Sequence, residues 1–208
     1  FAQINSQGDE DIMFLKLSAL NVLATITSVP QIKRSILKPI RKSPRCVMRG
    51  GESEKSPLLK FLIHGNDDSA DQKGVLYVCA ELSISGVDDD EDNWSDDPAS
   101  MYDTETSWED DHAALHAESL LETFVENLGG ASTLQSVFQL VDILLGSPSW
   151  QNQRAVLSIL ERCLAAAPVS FSPHVGATVD VALRLIQSSS KRVQYQALQL
   201  LGALCCAN

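Results

Sequence analysis

The second half of the chain repeats itself. Shifted by 41 residues, Leu134, Phe138, Leu140, Val141, Leu144 and Leu145 fall on Val175, Val179, Val181, Ala182, Leu185 and Ile186. Further along the same shift, Gln153 meets Gln194, Val156 meets Ala197, and Leu157, Ile159 and Leu160 meet Leu198, Leu200 and Leu201. The turns move with the helices, because Ser147 and Ser149 land on Ser188 and Ser190. A match that carries both apolar face and turn argues for one supersecondary unit used more than once. Each unit reads as a pair of amphipathic helices whose apolar face is too large to cover alone, so neighbours stack and bury it jointly.

Helical periodicity appears wherever the chain reads as ordered, and no segment shows the period-2 alternation of a half-buried strand. An amphipathic helix starts near Asp9 and runs to Val29-Pro30; a shorter one, QIKRSILKPI, ends at Pro39, so that 9–40 form a first helix pair. Residues 41–73 read as an insert or linker that opens on the Gly-, Ser- and charge-rich stretch 41-RKSPRCVMRGGESEKS-56. A helix follows over 74–86, then an acidic loop over 87–110, then stacked repeats over 111–208. Within the last part, helical stretches are predicted at 112–128, 131–146, 149–167 and 173–187, with another beginning near Lys191. The predicted fold is all-α, a solenoid of antiparallel helix pairs. A period near 40 is the spacing of HEAT and armadillo arrays.

Charge is concentrated in one place. The chain has 16 Lys+Arg against 27 Asp+Glu, a net charge of −11. Twelve of the acids lie in 87-VDDDEDNWSDDPASMYDTETSWEDD-111, and the other 15 are balanced by the 16 basic residues. The acidity therefore belongs to a segment, not to the fold. No unbroken apolar run of roughly 18 residues and no leader with a cleavage site is visible, which predicts a soluble, non-secreted protein. Five cysteines without CxxC spacing read as reduced thiols of an intracellular protein. The opening on Phe1 and the apolar run LLGALCCAN at the end read as a piece of a longer chain.

The stretch 118-ESLLETFVENLGG-130, then a helix, then 147-SPSWQNQRAVLSIL-160 and 187-QSSSKRVQYQALQLLGAL-204 resembles the middle HEAT repeats of importin-β (karyopherin-β) nuclear transport receptors. The acidic 88-DDDEDNW-94 stands where that family carries an acidic insert with an embedded Trp. The resemblance covers about residues 80–206, is weaker over 9–40 and is absent over 41–75. At the positions of the family's inter-repeat ion pairs this chain has Ser149, Gln153 and Gln194, which replaces charge by hydrogen-bonding capacity.

The resemblance implies a superhelical receptor, without catalysis or cofactor, that shuttles between cytoplasm and nucleus. Its implied partners are cargo proteins with basic localisation signals, Ran-GTP and the Phe-Gly repeats of nucleoporins, with neither direct nucleic-acid binding nor membrane insertion. It assigns the inner, concave groove to Gln135, Gln139 and Asp142, with Asp180 and Arg184 one repeat on. Gln139 and Asp180 are equivalent under the 41-residue shift and form successive rungs. A HEAT-repeat scaffold of a phosphatase or chromosome-associated complex is the alternative reading.

The acidic run holds the other candidate residues: Asp88, Asp89, Asp90, Glu91, Asp92, Trp94, Asp96 and Asp97. Like charges in this density repel and bury little apolar area, which predicts a mobile loop, as does the composition of 41–56. Trp94, Tyr102 and Trp108 are uncommon in plain spacers; interleaved with carboxylates they suit a surface that attracts a basic partner and holds it by stacking. Two other readings stay open: the run folds onto the basic stretch between Lys33 and Arg49, or Ser95, Ser100, Thr104 and Thr106 are phosphorylated. His112 and His116 have metal-ligand spacing but neither the following Glu nor a third ligand, and Gly129-Gly130 reads as a helix C-cap rather than a phosphate loop. Trp150 opens a helix and is expected to pack between repeats.

Overall fold

The computed structural model describes residues 2–37, 74–85 and 108–207. Among the described residues every element is helical: α1 (Ala2–Ser28), α2 (Pro30–Leu37), α3 (Val75–Ser85), α4 (Trp108–Leu128), α5 (Gly130–Leu145), α6 (Trp150–Ala166), α7 (Pro168–Phe171), a 3-10 turn (Ser172–His174), α8 (Val175–Leu185) and α9 (Lys191–Cys206). The all-α expectation holds. The predicted insert at 41–73, and the acidic loop as far as residue 107, lie outside the described residues.

Local chemistry sets the helix ends. Near the end of α1, Thr25, Thr27 and Ser28 donate to the carbonyls of Asn21, Ala24 and Thr25, which offers the backbone an alternative to continuing the helix. Pro30, with no N–H to give, then starts α2 at the position a helix tolerates proline best. Between α4 and α5 the chain turns on one residue, Gly129, at φ 84°, whose N–H donates to the Val125 carbonyl. Only glycine takes that backbone cheaply, and the C-cap expectation is met there. Gly130 serves a different need, since a Cβ on it would sit 2.6 Å from the Ala167 Cβ and 2.8 Å from the Ser170 Cβ. Its bareness lets α5 approach the corner between α6 and α7.

Three boundaries differ from the sequence reading. Helix α1 begins at Ala2 rather than near Asp9. Helix α4 begins at Trp108, so the last residues assigned to the acidic loop are helical; acids in succession suit the first turn of a helix, where the dipole is positive. The stretch read as one helix over 173–187 is preceded by α7 and the 3-10 turn, each opened by a proline near its start, Pro168 and Pro173.

Helices α4, α6 and α9 pack successively side by side, and α5 and α8 lie against this row, α5 on α4 and α6, α8 mainly on α9. On the other side of α4 the row is continued by α1; α3 lies against α4 and α6, touching α1 more lightly, and α2 rests on α1 and α4. One core runs through the assembly, from Leu20 and Ala24 through Leu82, Phe124, Val137 and Leu160 to Phe171, Leu200 and Leu204. At the α5–α7 corner, Phe138 stacks at 5.7 Å on the buried Phe171 and at 4.2 Å on His174. Repeat equivalents share burial where the surroundings match: Val141 and Ala182, Ile159 and Leu200 are all buried. They part where surroundings differ. Leu157 in α6 is 0% exposed and Leu198 in α9 is 56% exposed, because α6 has α3, α4, α5 and α9 packed around it and α9 only α6 and α8 among the described residues.

Helix α1 departs from the expectation that no segment is long and apolar enough to span a membrane. Its window Asp11–Ser28, with mean hydropathy 1.3, is long and apolar enough to cross a bilayer by length and composition. Lys16 and Asn21 interrupt the run without lowering its mean below that level. In the structure one face of this helix is packed on α3 and α4, and Lys16 pairs with Glu81 at 3.2 Å.

Candidate functional site

The row of helices is joined by polar contacts that repeat along it. Glu118, buried in α4, accepts from the Ser83 hydroxyl of α3 at 2.7 Å and from both terminal nitrogens of Arg154 in α6, at 3.1 and 3.3 Å. One turn on, Arg162 pairs with Glu122 at 3.1 Å. In the next interval, Gln196 of α9 donates to Glu161 of α6 at 2.7 Å. Burial raises the Glu161 carboxyl above its ordinary range, against the lowering effect of Arg162 and that Gln196 bond. The Glu118 node escaped sequence reasoning, although one signal was present: a Glu in register with the apolar positions Ala114, Leu121 and Val125, where a solvated carboxylate does not belong.

Ser149, Gln153 and Gln194 behave as hydrogen-bonding groups. Ser188 donates to the Gln153 side chain at 3.2 Å, and Gln194 donates to the Ser188 carbonyl at 2.8 Å. Ser190 caps α9 by accepting from the Val193 N–H, whereas Ser149 makes no capping bond and instead binds the Gln151 side chain. Trp150 packs against the core, with the Arg192 guanidinium 5.5 Å from its ring centroid.

Of the predicted groove residues, the structure places Gln135, Gln139 and Asp142 on α5, and Asp180 and Arg184 on α8, and leaves all five exposed. Among the described residues no hydrogen bond or ion pair joins these five to one another. The acidic-run candidates Asp88, Asp89, Asp90, Glu91, Asp92, Trp94, Asp96 and Asp97 lie outside the described residues. Their proposed internal counterpart is partly in view. Lys33 and Arg34, with Pro30 and Leu37, line a shallow depression of about 640 Å³ on α2.

No family model, curated protein or solved structure matches the chain. Function is therefore argued from the residues.

Among the described residues no three His, Cys, Asp or Glu side chains cluster to hold a metal, and His116 is exposed. Cys79 and Cys163 are fully buried, and burial pushes both thiols up to about 12. A neutral buried thiol is a poor nucleophile. In the native protein a thiol-specific reagent at mildly alkaline pH should therefore label Cys205 and Cys206 rapidly, and Cys79 and Cys163 only after denaturant is added. These raised thiols also tie stability to pH. The unfolded chain loses the protons near the ordinary value of 9.0 and the folded chain only near 12, so their contribution is complete below pH 9 and is lost as pH rises through that window. Rapid native labelling of Cys163 would contradict the packing of α6.

Proposed function

We propose that this chain is part of a HEAT-repeat nuclear transport receptor of the importin-β kind, which binds basic cargo signals, Ran-GTP and nucleoporin repeats. The observation that carries the reading is the 41-residue recurrence of a helix pair, preceded in the chain by an acidic insert with an embedded Trp. Three features support it. The helices related by the shift, α6 and α9, pack side by side in one row with α4. Polar contacts span each interval of that row, from Glu118 to Arg154 and from Glu161 to Gln196. The second-layer helices α5 and α8 expose Gln139 and Asp180 at equivalent positions, a polar surface suited to extended peptides rather than to a small substrate.

In this reading the stacked repeats are the frame and the acidic run is the recruiting element. Its twelve carboxylates set up a field that steers a basic segment to the receptor, and its aromatics hold the segment after contact. A fluorescently labelled, extended Lys/Arg-rich peptide should bind this chain with an affinity that falls steeply as salt is raised, read by anisotropy. An acidic peptide of equal length should not bind. Equal binding of both peptides, or of neither, would remove the support for a basic-cargo receptor.

A further inference from the structure

We propose that Glu161 is the proton-binding site of the α6–α9 interval, so that acidification strengthens the packing of α9 on α6 and gives the ion-paired α4–α6 interval no such gain. Where α4, α6 and α9 lie side by side, two guanidiniums serve three carboxylates. Arg154 pairs with Glu118 at 3.1 Å, and Arg162 pairs with Glu122 at 3.1 Å. Glu161 follows Arg162 in reverse along the chain, yet it forms no ion pair among the described residues. Its partner across the interval is the neutral amide of Gln196, at 2.7 Å. In a cluster with one carboxylate in excess, a proton on the unpaired member relieves repulsion without breaking an ion pair.

The partner suits both states of the carboxyl. A Gln amide carries N–H donors and a carbonyl acceptor, so the Gln196 nitrogen donates to the carboxylate and, with the amide turned over, its oxygen accepts from the protonated acid. The ion pairs of the other interval have no such freedom, since protonating Glu118 or Glu122 leaves a guanidinium facing a neutral acid. Burial is the largest influence on Glu161 and raises its carboxyl; Glu118 and Glu122 of α4 act in the same direction, and Arg162 and Gln196 oppose them. The remaining charges on the elements packed against α6 are engaged or open to water. Glu81 of α3 pairs with Lys16, Asp142 of α5 and Asp180 and Arg184 of α8 are exposed, and α9 carries only Lys191, exposed, and Arg192, which lies over the Trp150 ring. The folded chain therefore takes up this proton at a higher pH than the unfolded chain, whose ordinary value is 4.5. The cost of burying the carboxylate is present in full above the folded value and is relieved as pH falls through it. In a stacked array each unit touches only its neighbours, so one interval can change strength by itself. The inference rests on the packing of α6 and not on the receptor reading.

A titration of the full chain followed by NMR at the side-chain carboxyl carbons should place the Glu161 midpoint above 4.5. Amide exchange, corrected for intrinsic rates, should show protection in α9 rising by about twofold or more between neutral and mildly acidic pH, without an equal rise in α4. Glu161→Gln keeps the shape of the side chain and removes the proton site, so its α9 should be as protected at neutral pH as that of the native chain in acid, and should not respond to pH. Gln196→Arg supplies the missing cation across the interval; the Glu161 midpoint should fall and the gain in acid should disappear. A Glu161 midpoint at or below 4.5, or one that Gln196→Arg leaves unmoved, would overturn the proposal. So would a rise in α9 protection that persists in Glu161→Gln, or one matched step for step in α4.

Discussion

Replacing Arg154 with Ala should destabilise the chain by about 3 kcal/mol or more, the largest effect expected of any single polar substitution. The side chain of Glu118 is 1% exposed and that of Arg154 11%, so the pair is screened little by solvent. Taking away the guanidinium leaves a carboxylate in the interior with one remaining donor, the Ser83 hydroxyl. Desolvation then acts on the carboxylate without an opposing charge. The sign of the effect reverses in logic when both partners go. Glu118→Leu together with Arg154→Met removes charge and counter-charge, keeps volume, and should be much less damaging than Arg154→Ala alone. Urea unfolding midpoints of the native chain and of the two variants decide it. If the double variant is as unstable as Arg154→Ala or more so, the node contributes net attraction rather than merely tolerating burial.

The second large effect concerns rates. Changing Asp88, Asp89, Asp90, Glu91 and Asp92 to Asn or Gln should slow association with a basic peptide by about tenfold or more at low ionic strength, because steering charges act before contact. At about 0.15 M salt, with a Debye length of about 8 Å, the difference should shrink. Trp94→Ala should do the opposite, leaving association unchanged and hastening dissociation, since a stacked aromatic acts only after contact. Stopped-flow traces over a salt series separate the two. Unchanged rates in both variants would reduce the run to a spacer and shift attention to the exposed surface around Gln139, Asp142, Asp180 and Arg184.

Helix content and the repeat were legible in the sequence because they rest on periodicity, which is local. Val141 and Ala182, or Ile159 and Leu200, announce a buried face by spacing alone, and both pairs are buried. The break at Pro30 and the turn at Gly129 were legible for the same reason, each set by one residue's backbone chemistry. What stayed hidden depends on neighbours far along the chain. Glu118 and Arg154 are 36 residues apart, and nothing in a helical pattern says that an intervening helix will bring them to 3.1 Å. Gly130 looked like half of a capping pair, and its role as a point of close approach is set by Ala167 and Ser170. Leu157 and Leu198 are the same residue at the same repeat position with opposite exposure, so pattern alone could not tell a helix inside the row from one at its edge. Of the candidate site, residue types and repeat equivalence were readable on α5 and α8; that the five side chains stand exposed and unjoined was not.

The receptor reading is tested most directly by mixing the chain with Ran held in its GTP form and, separately, in its GDP form, and measuring binding by surface plasmon resonance. The account predicts saturable binding of the GTP form, weakened by added salt and by neutralising the acidic run, with no binding of the GDP form. Binding of both forms alike, or of neither, would contradict it.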